Sequence, residues 1–249
     1  MKLNSYLFVT SYAILSRAFH HQTVRPLTLC NPRVFSTAIS SSSSPSSSST
    51  LRNDDIKSSC LAWVNEFVIE HKLCPWAKES INKLNMELID TEPINNAADS
   101  IAIELLYEQI MIYAQELIES PTGGTTLIVL PKYSHSFEDF LEVSTNVENL
   151  LEASGLATCI QLASFHPHYG FKDDNGEESI VSAYTNRSPY PMLHYLLVKD
   201  VENAISDYAR QGRTMDHIWQ NNIKKMNSLS ELLGGEEAMR SKLETFKKS

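Results

Sequence analysis

Three histidines, an arginine and a cysteine are the residues of this chain whose types and spacing suit chemistry. His166 and His168 form a His-x-His pair at the end of an apolar run, residues 158–165. An imidazole titrates near neutrality, so His166 is a candidate acid or base. If the segment stays extended, both rings fall on one face and the pair can chelate a divalent metal. His194 or Asp173 would be the third ligand. The plainer reading has His166 bonded to a backbone carbonyl, shaping a turn. Further on stands Asn186-Arg187-Ser188-Pro189-Tyr190-Pro191. The Arg187 guanidinium is a bidentate fork suited to carboxylate or phosphate, and Asn186, Ser188, Tyr190 and Tyr169 would orient the ligand. Alternatively, Arg187 ties its loop to acids such as Asp173 or Glu177. Cys74, ahead of Pro75, is either a thiolate nucleophile activated by His166 or His194 or a small buried apolar residue. Cys60 and Cys159 fall on apolar faces and read as core.

Regular elements must hold these groups. A helix capped by Asp54 or Asp55 is expected to run to about residue 73, since Ile56, Cys60, Trp63, Val64, Phe67 and Val68 recur near a 3.6 period. A short helix over 76–84 and a strand over 86–90 follow. A long amphipathic helix, 97–119, stops at Ser120-Pro121-Thr122-Gly123-Gly124. Residues 125–130 are β-branched and aliphatic throughout, as in a strand buried on both faces. Ser136 and Asp139 form a capping box for a helix closed by Gly155. Residues 158–165 form a third strand. Ser188-Pro189 then starts a helix containing His194, and further helices are expected over 200–209, 216–226 and 236–247, the last with only a narrow apolar stripe. Strands separated by helices predict an α/β fold: a small, largely parallel sheet of three to four strands, helices packed on it, and additional C-terminal helices. Ligands of such sheets bind at the strands' carboxyl ends, where His166 falls. No Gly-rich phosphate fingerprint follows any strand.

Charge divides the chain. Residues 1–53 contain no Asp or Glu, and a serine tract from Ser40 to Ser49 is broken only by Pro45. An Arg-containing, Ser-rich, acid-free leader has the composition of an organelle transit peptide. The expected destination is the mitochondrion, with cleavage after Phe35 in Arg33-Val34-Phe35-Ser36-Thr37; the moderately apolar stretch 3–15 leaves the plastid as the alternative. The expected organisation is a transit peptide and disordered linker over 1–52, one α/β domain over 53–212 and a helical extension over 213–249. Five of the 21 basic residues precede residue 53, which leaves 16 against all 30 acidic residues, a net of −14. So acidic a body is unsuited to tracking nucleic-acid phosphates, although a local spot such as Arg187 can hold a small anion. No run approaches the roughly 18 apolar residues that span a bilayer, so no membrane partner is expected. The cysteine spacing matches neither a zinc site nor a disulfide framework, and free thiols are expected.

Taken together and in this order, Leu73-Cys74-Pro75-Trp76-Ala77, Phe165-His166-Pro167-His168-Tyr169 and Asn186-Arg187-Ser188-Pro189-Tyr190-Pro191-Met192-Leu193-His194 resemble the uncharacterised, mostly bacterial domain-of-unknown-function family 1415. The resemblance covers residues 61–204. It implies no activity. The family commonly has Phe where Trp76 stands and Asp where His168 stands; a metal-ligand role at 168 survives that exchange, while one that requires imidazole does not.

Two functions of different class fit these residues. In the first, the chain is a small-molecule enzyme, a hydrolase or transferase. Arg187 holds an anionic substrate, His166 or His194 serves as acid or base, and Cys74 or a divalent metal on His166 and His168 completes the chemistry. In the second it is a non-catalytic ligand-binding or assembly module, presenting Tyr169, Phe171, Tyr184, Tyr190 and Tyr195 from an aromatic surface over 165–195.

Overall fold

The computed structural model describes residues 47–90, 100–133, 136–170 and 180–247. Helix α1 (Ser47–Trp63) runs into a π-helical turn, Val64–Ile69, and a short helix α2 (Ala77–Ser80) precedes strand β1 (Leu84–Leu88). Then come α3 (Ser100–Glu119), β2 (Thr125–Val129), α4 (Phe137–Ala153), β3 (Ile160–Phe165), the single turn α5 (Ile180–Ala183) and β4 (Met192–Leu197). Helices α6 (Val198–Arg210), α7 (Met215–Leu233) and α8 (Glu236–Glu244) close the chain. Among the described residues no helix is long and apolar enough to cross a membrane.

The strands form one open sheet in the order β1-β2-β4-β3. Only β1 and β2 pair in parallel; β4 lies antiparallel to both β2 and β3. The sheet is therefore mostly antiparallel, which corrects the expected largely parallel sheet. The three strands expected from sequence are present and run in one direction. The difference comes from 192–197, expected to be helical and carrying His194, which is β4 and sits between β2 and β3. Pro189 and Pro191 explain part of this, because they withhold two N–H groups and hold their neighbours extended. The rest is tertiary: an inner strand has both backbone edges paired, and its side chains can enter a core on either face.

Burial alternates with the strand period of two. Ile128 on β2 and Leu193, Tyr195 and Leu197 on β4 face one core, shared with Leu106, Ile110, Ala114 and Leu117 of α3 and Phe140, Val143, Val147 and Leu151 of α4. Leu127, Val129 and Met192 face the other. That second core takes Cys60 and Trp63 from α1, Phe67 and Leu73 from the turns after it, and Tyr184 and Tyr190 from the loop before β4. It also takes Met226 from α7 and Met239, Leu243 and Phe246 from the C-terminal segment. Helix α8, whose apolar stripe is narrow, thus spends all of it in this core.

Local chemistry places the ends of the elements. The Ser136 hydroxyl accepts from the Asp139 N–H at 3.1 Å and the Asp139 carboxylate accepts from the Ser136 N–H at 3.2 Å, the capping box that opens α4. Gly124 has φ +116°, and a Cβ there would collide with the Lys83 carbonyl oxygen, so only glycine lets the α3–β2 loop approach the start of β1. Lys72 takes the left-handed conformation at φ +52°. Helix α7 braces that bend: Asn222 Nδ2 donates to the Leu73 carbonyl and Lys225 Nζ to the Lys72 carbonyl, both at 2.6 Å.

Candidate functional site

The chain leaves β3 at His166, and three hydrogen bonds turn it there. The His166 N–H donates to the Asn186 carbonyl at 3.2 Å, and the Tyr169 N–H donates to the His166 carbonyl at 3.1 Å. The His168 N–H donates to His166 Nδ1, also at 3.1 Å. A ring that accepts at Nδ1 carries its proton on Nε2 when neutral. The ring is 2% exposed, stacked on Phe140 at 5.1 Å with Phe137 at 5.4 Å. Burial, then the neighbouring His168 and Lys247, lowers its pKa to about 4. His166 is thus neutral at pH 7. The segment is a turn and does not stay extended, so Nδ1 is occupied by backbone while His168 stands exposed with its ring 5.8 Å away.

The Asn186–Pro191 loop lies across this turn. Asn186 is buried and donates from Nδ2 to the Ser164 carbonyl at 3.3 Å, which fastens the loop to β3. Ser188 is buried and donates to the Tyr190 carbonyl at 2.6 Å. Tyr190 and Tyr169 are buried too, the latter packed on Phe137 at 4.7 Å. These four residues hold the loop. Arg187 emerges from it: Nε donates to the Tyr169 carbonyl at 3.0 Å and the guanidinium carbon lies 4.4 Å over the Tyr184 ring. Its side chain is 14% exposed, and NH1 makes a long ion pair to Glu236 at 4.0 Å. The acids Asp173 and Glu177 lie outside the described residues.

Helix α8 closes the opposite wall. Gly234 and Gly235, both at positive φ, turn the chain from α7 into it. With its buried face anchored by Met239 and Leu243, the helix presents Arg240 and Glu244, and Lys247 follows its end. The resulting cleft is lined by Pro167, His168, Tyr184, Arg187, Ser188 and Pro189 on one side and Arg240, Leu243, Glu244 and Lys247 on the other. The space open to the centre of a water molecule is about 30 Å³, so the cleft is small but admits solvent. Glu236 bridges the walls, 3.2 Å from Arg240 and 4.0 Å from Arg187. Sequence reasoning missed Arg240, Lys247 and Glu236. A signal was present: positions 236, 240, 243, 244 and 247 follow the i, i+3/i+4 rule and share one helix face.

His194 and Cys74 lie elsewhere. On β4, His194 pairs with Leu127 and Ala163 and lies 6.3 Å from the Phe165 ring. The residue keeps slight solvent contact, but Nε2 is buried with no partner among the described residues. Burial lowers its pKa to about 4. Cys74 is exposed; partial desolvation raises its thiol pKa, against a lowering by hydrogen bonds from the Trp76 and Ala77 backbone. Among the described residues no hydrogen bond or ring contact joins Cys74 to His166 or His194. Cys60 is a buried free thiol whose pKa burial pushes up to about 12. Among the described residues no group of three or more His, Cys, Asp and Glu side chains is placed to hold a metal. The proposed third ligand Asp173 lies outside them, as does Phe171 of the aromatic surface. Tyr169, Tyr184, Tyr190 and Tyr195 of that surface are all buried within the chain.

Over residues 55–233 the chain matches the family described as protein of unknown function DUF1415, and it belongs to that family. No curated protein and no solved structure matches it.

Proposed function

We propose that this member of the family is a small-molecule enzyme, a hydrolase or transferase, that takes an anionic substrate in the cleft between the 166–190 turn and loop and helix α8. One observation carries the reading. In a body of net charge −14, three cations, Arg187, Arg240 and Lys247, converge on one cleft whose lining holds a single acid, Glu244. Such local reversal of sign concentrates and orients anions. Arg187 is pre-organised to hold one, because its Nε bond and the Tyr184 ring fix the fork before the ligand arrives. His168 at the rim gives or takes the proton, a role that does not require imidazole because a carboxylate at that position can fill it too. His166 stays neutral behind it, accepting from the His168 N–H and fixing that turn. It acts as a positioning residue. The same acid-free leader, residues 1–52, directs the protein to the mitochondrion, with the plastid as the alternative.

The aromatic assembly surface has less support, since Tyr169, Tyr184, Tyr190 and Tyr195 are spent on the chain's own packing. The enzyme reading is tested with a panel of small anionic metabolites and the full chain, by thermal shift and then turnover. Anions that raise the melting temperature of the wild type should lose most of that effect in Arg187→Lys. Turnover of any substrate so found should fall in His168→Asn, with binding kept. If the same anions stabilise Arg187→Lys equally, the site is elsewhere.

A further inference from the structure

We infer that the head group this cleft takes is a phosphoryl dianion, and that Glu236 is the resident carboxylate it must displace or share. The inference rests on the anion-binding reading of the cleft and names its ligand chemistry and its built-in competitor. Arg187 approaches from the loop before β4, and Arg240 and Lys247 come from the C-terminal segment. Three cations reaching one space from two walls, against the one carboxylate of the lining, Glu244, suit a group with three terminal oxygens and close to two charges. A single guanidinium already satisfies a carboxylate.

Glu236 decides between these ligands. Its Oε1 lies 3.2 Å from Arg240 and 4.0 Å from Arg187, so the two guanidiniums already share a carboxylate. An incoming monocarboxylate would replace like with like and gain little. A phosphoryl dianion brings twice the charge to the same donors and to Lys247, which is held 5.9 Å over the Tyr190 ring. The Arg187 contact to Glu236 is the longer one, and Arg187 has no other acid partner among the described residues. The guanidinium nearest the loop is therefore the one most open to a second anion.

Glu236→Gln is the informative variant because it predicts a gain. The side-chain change leaves intact the Tyr184 hydroxyl bond to the Glu236 backbone carbonyl at 3.3 Å. Inorganic phosphate and acetate are titrated by calorimetry into the full-length wild type, Glu236→Gln and Arg187→Lys. Phosphate should bind Glu236→Gln roughly tenfold more tightly than wild type, bind Arg187→Lys more weakly, and outcompete acetate in each. Equal phosphate affinity in wild type and Glu236→Gln, or acetate binding as well as phosphate, overturns the inference and leaves the anion-binding reading standing. Absence of phosphate binding in both wild type and Glu236→Gln overturns the inference, and absence of acetate binding as well overturns the two together.

Discussion

Acidification from pH 7 to pH 5 should cost this protein about 4 kcal/mol of folding stability through two imidazoles alone. His166 and His194 are both held near pKa 4 by burial, while an imidazole in the unfolded chain titrates near its ordinary 6.5. Between those values the unfolded chain binds more protons, so unfolding gains as pH falls. Each contribution is fully present above about 6.5 and is lost as pH drops towards 4. One pKa unit is worth about 1.4 kcal/mol, so the 1.5 units from 6.5 to 5 remove about 2 kcal/mol per histidine. That is a large part of the roughly 5–15 kcal/mol that holds a domain together. Carboxylates titrate in the same range, so the measurement is a difference. Urea unfolding is followed at pH 7, 6 and 5 for wild type and His194→Leu. Since His194 Nε2 has no partner among the described residues, leucine strands no hydrogen bond and should leave stability at pH 7 unchanged or raised. Between pH 7 and 5 the variant should lose about 2 kcal/mol less than wild type. Equal losses would refute the placement of His194 as a buried neutral group.

Three further outcomes follow from the packing. Iodoacetamide at neutral pH should label native Cys74 slowly and Cys60 not at all, because both thiols are raised in pKa and Cys60 is also sealed in the core; rapid labelling of Cys74 by mass spectrometry would restore it as a nucleophile. Met239→Ala should cost about 2–5 kcal/mol by denaturant titration, since Met239 is 0% exposed in the second core, and a loss under 1 kcal/mol would mean that α8 is not docked. Gly124→Ala should lower the melting temperature clearly, its φ of +116° and the Lys83 carbonyl both opposing a side chain, and an unchanged value would contradict the described loop.

The elements legible in the sequence were those whose signals are local. The β-branched run at 125–129, the capping box at Ser136 and Asp139 and the stop at Gly155 each specify their own geometry. Strands β1 to β3 fall within about two residues of their expected positions. What failed was 192–197, because nothing in Met-Leu-His-Tyr-Leu-Leu excludes a helix. Its strand state depends on β2 and β3, both distant in sequence, which have free backbone edges for it to fill. Topology followed: inserting one antiparallel strand changes two of the three pairings. The site divides the same way. His166, His168, Arg187 and Ser188 lie in one stretch around one turn, so their grouping could be read directly. Arg240 and Lys247 reach that stretch only through the fold.

That distant contribution explains how a helix with so narrow an apolar stripe can be positioned well enough to build a binding wall. Met239 and Leu243 point into the second core beside Tyr184 and Tyr190, and these tyrosines belong to the same stretch that carries Arg187. Arg240, Glu244 and Lys247 directly follow the anchors Met239, Leu243 and Phe246, so the packing that buries those anchors sets where the adjoining positions present their charges. Tyr184 joins the two walls: its ring lies under Arg187 and its hydroxyl donates to the Glu236 carbonyl at the start of α8. Loss of α8 and the residues after it would therefore remove two cations and two carboxylates, Glu236 and Glu244, from the cleft and also uncover Tyr184, loosening the support beneath Arg187. Stability and anion affinity should fall together in core substitutions of α8 and separate in charge substitutions of it, which is the pattern expected when one short helix serves both the core and the site.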